Sequence, residues 1–196
     1  KEIVSAVINI NPKDTNVILG EEEILMYGKP EITDTMCGNK ISIAPKAFYQ
    51  VNTPAAEKLY AKAKEFAEPE GKIVLDLYCG TGTITSILAG YVKKVIGIEI
   101  VEDAIYDAKE NVKTNGISNV KFICGDAAKE ISKIKENIDV VFVDPPRSGI
   151  DRKAIAVMKK INPEKIVYIS CNPVTMARDL SYLTDLYNVK KVIPFD

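Results

Sequence analysis

The chain has 196 residues, 46% of them hydrophobic, with a net charge of −1 and a pI near 5.7. That is material for one α/β domain of ordinary size plus a smaller appendage, and it argues against a domain that grips nucleic acid by bulk electrostatics alone. No run approaches the roughly 20 apolar residues of a membrane span, nothing at the start reads as a signal peptide, so a cytoplasmic protein is expected, and the absence of His excludes triad hydrolases and imidazole acid–base chemistry.

Residues 1–45 read as short strands, at 6–10, 17–19, 23–27 and 40–43, separated by Asn-Pro, Gly, Gly-Lys-Pro and Gly-Asn turns. They predict a small antiparallel β segment ahead of a main domain spanning 46–196. Phe48-Tyr-Gln-Val-Asn52 follows, then Thr53-Pro54 as N-cap and first-turn proline of a helix to about residue 67. From residue 72 the pattern alternates strand and helix. Strands are expected at 73–77, 94–99, 120–124, 138–143 and 165–170, with helices at 83–91, 102–115, 127–134, 151–161 and 174–186. A last run, 189–194, predicts a sixth strand. Such repeats make a mostly parallel, doubly wound sheet covered on both faces, with ligands bound beyond the carboxyl ends of its strands. The chain does not begin with Met and stops in mid-pattern at Val192-Ile-Pro-Phe-Asp196, so it reads as a piece of a longer protein.

The strand ends then present one row of groups. Gly80-Thr-Gly82 gives a tight turn with free N–H groups at a helix start. Glu99 closes the next strand, where a carboxylate can take both hydroxyls of a ribose. Asp126 follows the third, and either acid could equally be an ordinary helix-start residue. Asp144-Pro-Pro-Arg-Ser-Gly149 is a stiff, exposed turn, because two prolines fix φ and remove two donors. Only three of the 26 basic residues are Arg, at 147, 152 and 178, so an Arg near a site carries more information than a Lys.

Four cysteines, at 37, 79, 124 and 171, contain no C-x-x-C pair, so neither a metal site nor a disulfide is expected. Cys79 is read as packing, and Cys37 and Cys124 as structural. A lone Cys after an apolar strand is usually a small buried hydrophobe. In Ser170-Cys-Asn-Pro173, however, the proline ends the strand, and the helix beginning nearby has a positive end that favours a thiolate. Cys171 is the candidate nucleophile.

Taken together, Phe48-Tyr-Gln-Val-Asn52, Asp76-Leu-Tyr-Cys-Gly-Thr-Gly82, Glu99, Asp144-Pro-Pro-Arg-Ser-Gly149 and Ser170-Cys-Asn-Pro173 resemble the RNA uracil-C5 methyltransferases, in family order, from about residue 45 to the end. The resemblance implies a class I methyltransferase fold and S-adenosylmethionine as cofactor. It implies 5-methyluridine formation in RNA, ribosomal RNA ahead of transfer RNA, through a covalent Cys171–C6 adduct. By the same resemblance Gln50, Tyr78, Gly80, Gly82, Thr83, Glu99, Asp126 and Asp144 contact the cofactor, with Asp126 near its adenine. Thr83 stands where relatives often have Asn. Arg147 and Asn172 are candidate substrate contacts, no metal is implied, and a monomer is expected. The family's proton-abstracting Glu, its last strand, its RNA-binding barrel and the iron–sulfur cysteines of some members have no counterpart here. These 196 residues are therefore expected to bind cofactor weakly or not at all and to complete no turnover.

Three rivals remain. An amino-methyltransferase normally has an aromatic after its Asp/Asn-Pro-Pro turn, where this chain has Arg147. A non-catalytic nucleotide-binding or RNA-docking module is disfavoured, for docking, by the slight acidity. A dinucleotide-dependent dehydrogenase would carry a third glycine in the turn.

Overall fold

A computed structural model describes residues 3–14, 18–45 and 47–195. Two antiparallel pairs come first. β1 (Ser5–Ile10) pairs with β2 (Glu22–Gly28), with a register shift between Ala6 and Val7, and β3 (Ile32–Met36) pairs with β4 (Asn39–Ile43). β3 is absent from the sequence-based expectation. The strand expected at 17–19 does not form over Ile18 and Leu19, which lie in the β1–β2 connection; residue 17 is outside the described residues.

α1 (Thr53–Ala67) starts one residue earlier than Thr53 as a cap would allow. Asn52 is the cap, accepting from the Ala55 N–H at 3.3 Å, and Thr53 is already helical. The main sheet follows. β5 (Ile73–Leu77), β6 (Lys94–Glu99), β7 (Val120–Cys124), β8 (Val140–Val143) and β9 (Lys165–Tyr168) are all parallel, in the order β7-β6-β5-β8-β9. The connecting helices are α2 (Thr83–Ala89), α3 (Glu102–Thr114), α4 (Ala127–Ile131) and α5 (Arg152–Ile161), and α6 (Pro173–Ser181) follows β9.

The central strands are apolar at consecutive positions because both faces are covered. Val74, Val95, Val140 and Phe142 pack with Tyr60 and Ala63 of α1 and Ile84 and Leu88 of α2, along with Met36 and Ile41 of the β3–β4 hairpin. Leu75, Leu77, Ile96, Ile98, Val141 and Val143 face the other way, against Ile131, Ile155, Met158 and Leu183. The chain winds outward from β5 to β7, then returns to β8 and winds out to β9. The order therefore reverses between β5 and β8, and the crevice at that point opens at the carboxyl ends.

Two expectations are corrected at the C-terminal side. The helix expected to 186 ends at Ser181 and passes into turns. The run 189–195 forms no strand: Val189, Val192, Ile193 and Phe195 are exposed and join no ladder. A β-branched run becomes a strand only with a partner ladder, so β-propensity alone over-read this segment. Among the described residues no helix is long and apolar enough to cross a membrane, and no group of three or more His, Cys, Asp or Glu could hold a metal ion.

Candidate active site

The turn after β5 is held from below and open above. Tyr78, Gly80 and Gly82 all have left-handed φ, of 63°, 53° and 77°. The two glycines do different things. A Cβ on Gly82 would lie 2.9 Å from the Phe122 ring and 3.0 Å from the Ala108 methyl, so the turn packs onto α3 and β7 there. A Cβ on Gly80 would meet nothing within 4 Å, so the main chain there is open to close approach by a ligand.

Asp76, fully buried near the end of β5, ties that strand to the start of α2. Its Oδ2 accepts from the Thr85 hydroxyl at 2.6 Å, inside the first turn of α2. Its Oδ1 is buried without a protein partner. Burial pushes its pKa up to about 7, with the Thr85 contact acting the other way. An orphaned carboxylate oxygen beside an open glycine turn fits a cofactor bearing hydroxyl or amino donors.

Glu99 is less free than its position suggests. Its Oε1 accepts from the Ile100 and Val101 N–H groups at 2.8 and 3.0 Å, and its Oε2 from the Gly80 N–H at 3.1 Å. A carboxylate has about four acceptor positions, so one on Oε2 remains for a ribose. Glu99 thereby clamps the β6 end to the glycine turn. Asp126 is exposed and caps α4 through the Lys129 N–H at 3.0 Å. Thr83 is the first residue of α2.

Asp144 directly follows β8, next to β5, partly buried, with its pKa pushed up to about 6 by desolvation. Gln50, in the loop before α1, is brought to it through Tyr60. The Tyr60 hydroxyl is pushed above its ordinary range first by burial and next by the Asp144 charge, while a hydrogen bond with Gln50 opposes both. Tyr60 was invisible as a site residue; it reads in sequence as one more core position on α1. The Tyr78 hydroxyl is likewise raised, by burial first, and contacts the Asp151 main chain.

Cys171 is exposed, one residue ahead of the α6 cap Asn172. Two strand spacings, about 10 Å, separate the β5 and β9 ends from which the glycine turn and Cys171 continue, with β8 and Asp144 between them. The Asn172 amide donates to the Arg147 carbonyl at 3.2 Å, and its Oδ1 accepts from the Val174 N–H at 3.0 Å. Ser170 Oγ donates to the Asn172 carbonyl at 2.9 Å, which fixes the Cys171 corner. Cys79 is buried, and burial raises its thiol well above the ordinary value. Cys37 is partly buried; Cys124, expected as structural, is exposed at the end of β7, with its Sγ 3.8 Å from the Ile100 carbonyl.

Two further polar residues hold the site together. Buried Asn111 accepts from the Ser42 N–H at 2.9 Å and donates to the Thr81 carbonyl at 3.1 Å, joining the β3–β4 hairpin to the glycine turn. Buried Asp179 accepts from the Ile150 N–H at 2.7 Å, the Tyr168 hydroxyl at 2.8 Å and Arg178 Nε at 2.8 Å, joining α6 to the Pro-Pro-Arg turn. Asn111 sits on an otherwise apolar helical stripe with Ile105 and Ala108, a signal that could have flagged it, whereas Asp179 is the one buried residue of α6 and carries no such pattern.

Known proteins resemble this chain in sequence and in fold. An RNA methyltransferase of Enterococcus faecalis, described as uncharacterised, is 48% identical over 200 residues, which are all of this chain and 44% of that protein. One from Clostridium tetani is 46% identical over 99% of this chain and 43% of its own length. The solved structure of Pyrococcus abyssi tRNA (uracil-54, C5)-methyltransferase in complex with S-adenosyl-L-homocysteine is 31% identical, with a TM-score of 0.78 over 93% of this chain and 45% of that one. The chain thus spans less than half the length of each. Residues 31–196 match the family described as tRNA (Uracil-5-)-methyltransferase. With a five-stranded parallel class I methyltransferase sheet and matching relatives, the chain belongs to the tRNA (uracil-5-)-methyltransferase family.

Proposed function

We propose that the chain is the cofactor-binding, nucleophile-bearing part of an enzyme that methylates C5 of a uridine in RNA at the expense of S-adenosylmethionine. What supports this reading most is that the exposed Cys171 thiol and the open Gly80 turn lie at the same end of one sheet, with Asp144 between them. S-adenosylmethionine supplies an electrophilic methyl group on a sulfonium. Gln50, Tyr78, Gly80, Gly82, Thr83, Glu99 and Asp144 hold the cofactor, Glu99 with the remaining acceptor position of Oε2, and Asp126 lies near the adenine.

Uracil C5 is too weak a nucleophile to take a methyl group unaided. The Cys171 thiolate adds to C6, and the electrons of the C5–C6 double bond pass to C5 as an enolate. C5 would then take the methyl group as the sulfonium S–CH3 bond breaks, with S-adenosylhomocysteine as the leaving group. A base then removes the C5 proton, the double bond re-forms and the C6–S bond breaks, returning the thiolate. Arg147 and Asn172 orient the uracil. The base is assigned to a Glu outside residues 1–196 of the whole protein. Residues 1–196 by themselves thus complete no turnover and hold cofactor weakly or not at all. Within them, 1–45 form the antiparallel segment and 46–196 the cofactor domain of a cytoplasmic monomer.

The target is ribosomal RNA. Transfer RNA is the second reading, favoured by the P. abyssi enzyme whose name specifies tRNA uracil-54. The test is methyl incorporation by the full-length protein on each RNA, with and without Cys171→Ala. The reading requires 5-methyluridine from the parent and none from the variant. Retained methylation in the variant would instead fit an amino-methyltransferase.

A further inference from the structure

The chain has 23 Lys and only three Arg, yet all three Arg gather at one place. Arg147 and Arg152 flank the turn after β8, and Arg178 reaches the same turn from α6, its NH2 donating to the Ser148 carbonyl at 2.8 Å. Arg152 lies over the Tyr182 ring, 4.6 Å from its centre, and donates to the Tyr182 hydroxyl at 2.5 Å. Between Arg152 and Arg178 is a groove of about 410 Å³ lined by residues 148–152, Arg178 and Tyr182, with Asp151 as its one carboxylate.

Charge at this mouth is not uniform. Arg178 pairs with Asp179 and Lys159 with Asp185, each at 2.6 Å. Among the described residues of the turn, α5 and α6, the remaining charges are Arg147, Arg152, Lys153 and Lys160 against Asp144 and Asp151, a positive surplus in a chain whose net charge is −1. Two of the guanidinium groups are already immobilised, Arg178 by Asp179 and Arg152 by Tyr182. Rigid forks lose less entropy on binding a tetrahedral anion than free lysines do. The turn that lines the groove also meets the Cys171 corner, because Asn172 donates to the Arg147 carbonyl and Arg178 to that of Ser148.

We propose that this groove binds a backbone phosphate of the RNA next to the target uridine, with Arg152 as its main contact. The assignment rests on the RNA reading above and adds to it a docking point separate from the uracil and cofactor contacts. Cofactor affinity is accordingly independent of Arg152.

The test uses the full-length protein, a single-stranded, uridine-containing RNA 20-mer followed by fluorescence anisotropy, and S-adenosylhomocysteine binding by calorimetry. Arg152→Gln should raise the RNA Kd about tenfold and lower the slope of log K against log salt by about one, leaving S-adenosylhomocysteine affinity and the thermal midpoint unchanged. An unchanged Kd and salt slope would overturn the proposal. If Arg152→Gln lowers the midpoint, Arg152→Lys decides. A salt slope equal to the parent's with Kd within about threefold upholds the phosphate contact, and a tenfold loss at unchanged slope overturns it. Methyl incorporation measured alongside separates the two claims. Methylation by the parent with no Arg152 effect sinks the groove alone; an Arg152 effect without uridine methylation sinks the uracil reading alone.

Discussion

Asp179, on α6, accepts the Ile150 N–H at 2.7 Å across 29 residues of sequence, and this bond sets the Pro-Pro-Arg turn against the helix that follows Cys171. The same carboxylate takes the Tyr168 hydroxyl and, on its other oxygen, the Arg178 guanidinium. It is wholly buried, so its four donors are what make the charge tolerable there.

Replacing Asp179 by Ala strands the Ile150 N–H and leaves Arg178 without its partner. Breaking a buried pair in this way costs about 3–5 kcal/mol. Because Arg178 is 44% exposed and can be hydrated, the loss should fall at the low end, about 3 kcal/mol, in urea denaturation. Amide exchange should accelerate first at Gly149 and Ile150. A variant with parental stability and parental protection at those amides would show that the turn is held by its prolines instead.

Asn111 makes a second long-range tie. Asn111→Leu would leave the Thr81 carbonyl and the Ser42 N–H without their partner, a cost of about 1–3 kcal/mol. Asn111→Asp keeps the acceptor for Ser42 but turns an oxygen towards the Thr81 carbonyl. Both should weaken S-adenosylhomocysteine binding to the full-length protein, the Asp variant more than its stability loss explains. Calorimetry at matched folded fraction checks this; equal affinity in all three proteins would confine Asn111 to a packing role.

The buried Asp76 makes stability pH-dependent in a definite direction. Its folded pKa, about 7, lies above the ordinary carboxylate value of 3.8, so the folded state holds a proton that the unfolded chain releases. Its contribution is fully present below about pH 4 and is lost as pH rises to about 7. Each pK unit corresponds to about 1.4 kcal/mol, so the total is of the order of a few kcal/mol. Asp144, raised to about 6, adds to the same trend up to that pH. In urea titrations between pH 4 and pH 8 the parent should lose stability on this account, and Asp76→Asn should show a flatter profile. An identical slope in the two proteins would place the proton elsewhere.

The sheet was largely legible because its strands are buried on both faces. Ile73–Leu77 and Val120–Cys124 have the boundaries read from their apolar, β-branched runs. The same reasoning failed at 189–194, where the run is apolar but no ladder receives it, and missed Ile32–Met36, whose Thr-Asp-Thr centre hides an exposed hairpin strand. In the site, sequence could place Glu99 at a strand end. It could not show that three main-chain N–H groups would occupy most of its carboxylate. Tyr60, Asn111 and Asp179 also escaped notice. For Tyr60 and Asp179 the partners that fix the site lie on other elements, whereas Asn111 alone was marked locally, as a polar residue on the apolar stripe of α3.

The central claim is that the sulfur of Cys171 attacks C6 of a uracil held beside the glycine turn. It is tested most directly by incubating the full-length protein with 5-fluorouridine-containing RNA and S-adenosylmethionine. Fluorine at C5 cannot leave as a proton does, so elimination stops and the adduct persists. The account predicts a denaturant-stable protein–RNA species that carries the methyl group and maps to the peptide containing Cys171, and that is absent from Cys171→Ala. An adduct that survives in Cys171→Ala, or maps to another cysteine, would contradict it.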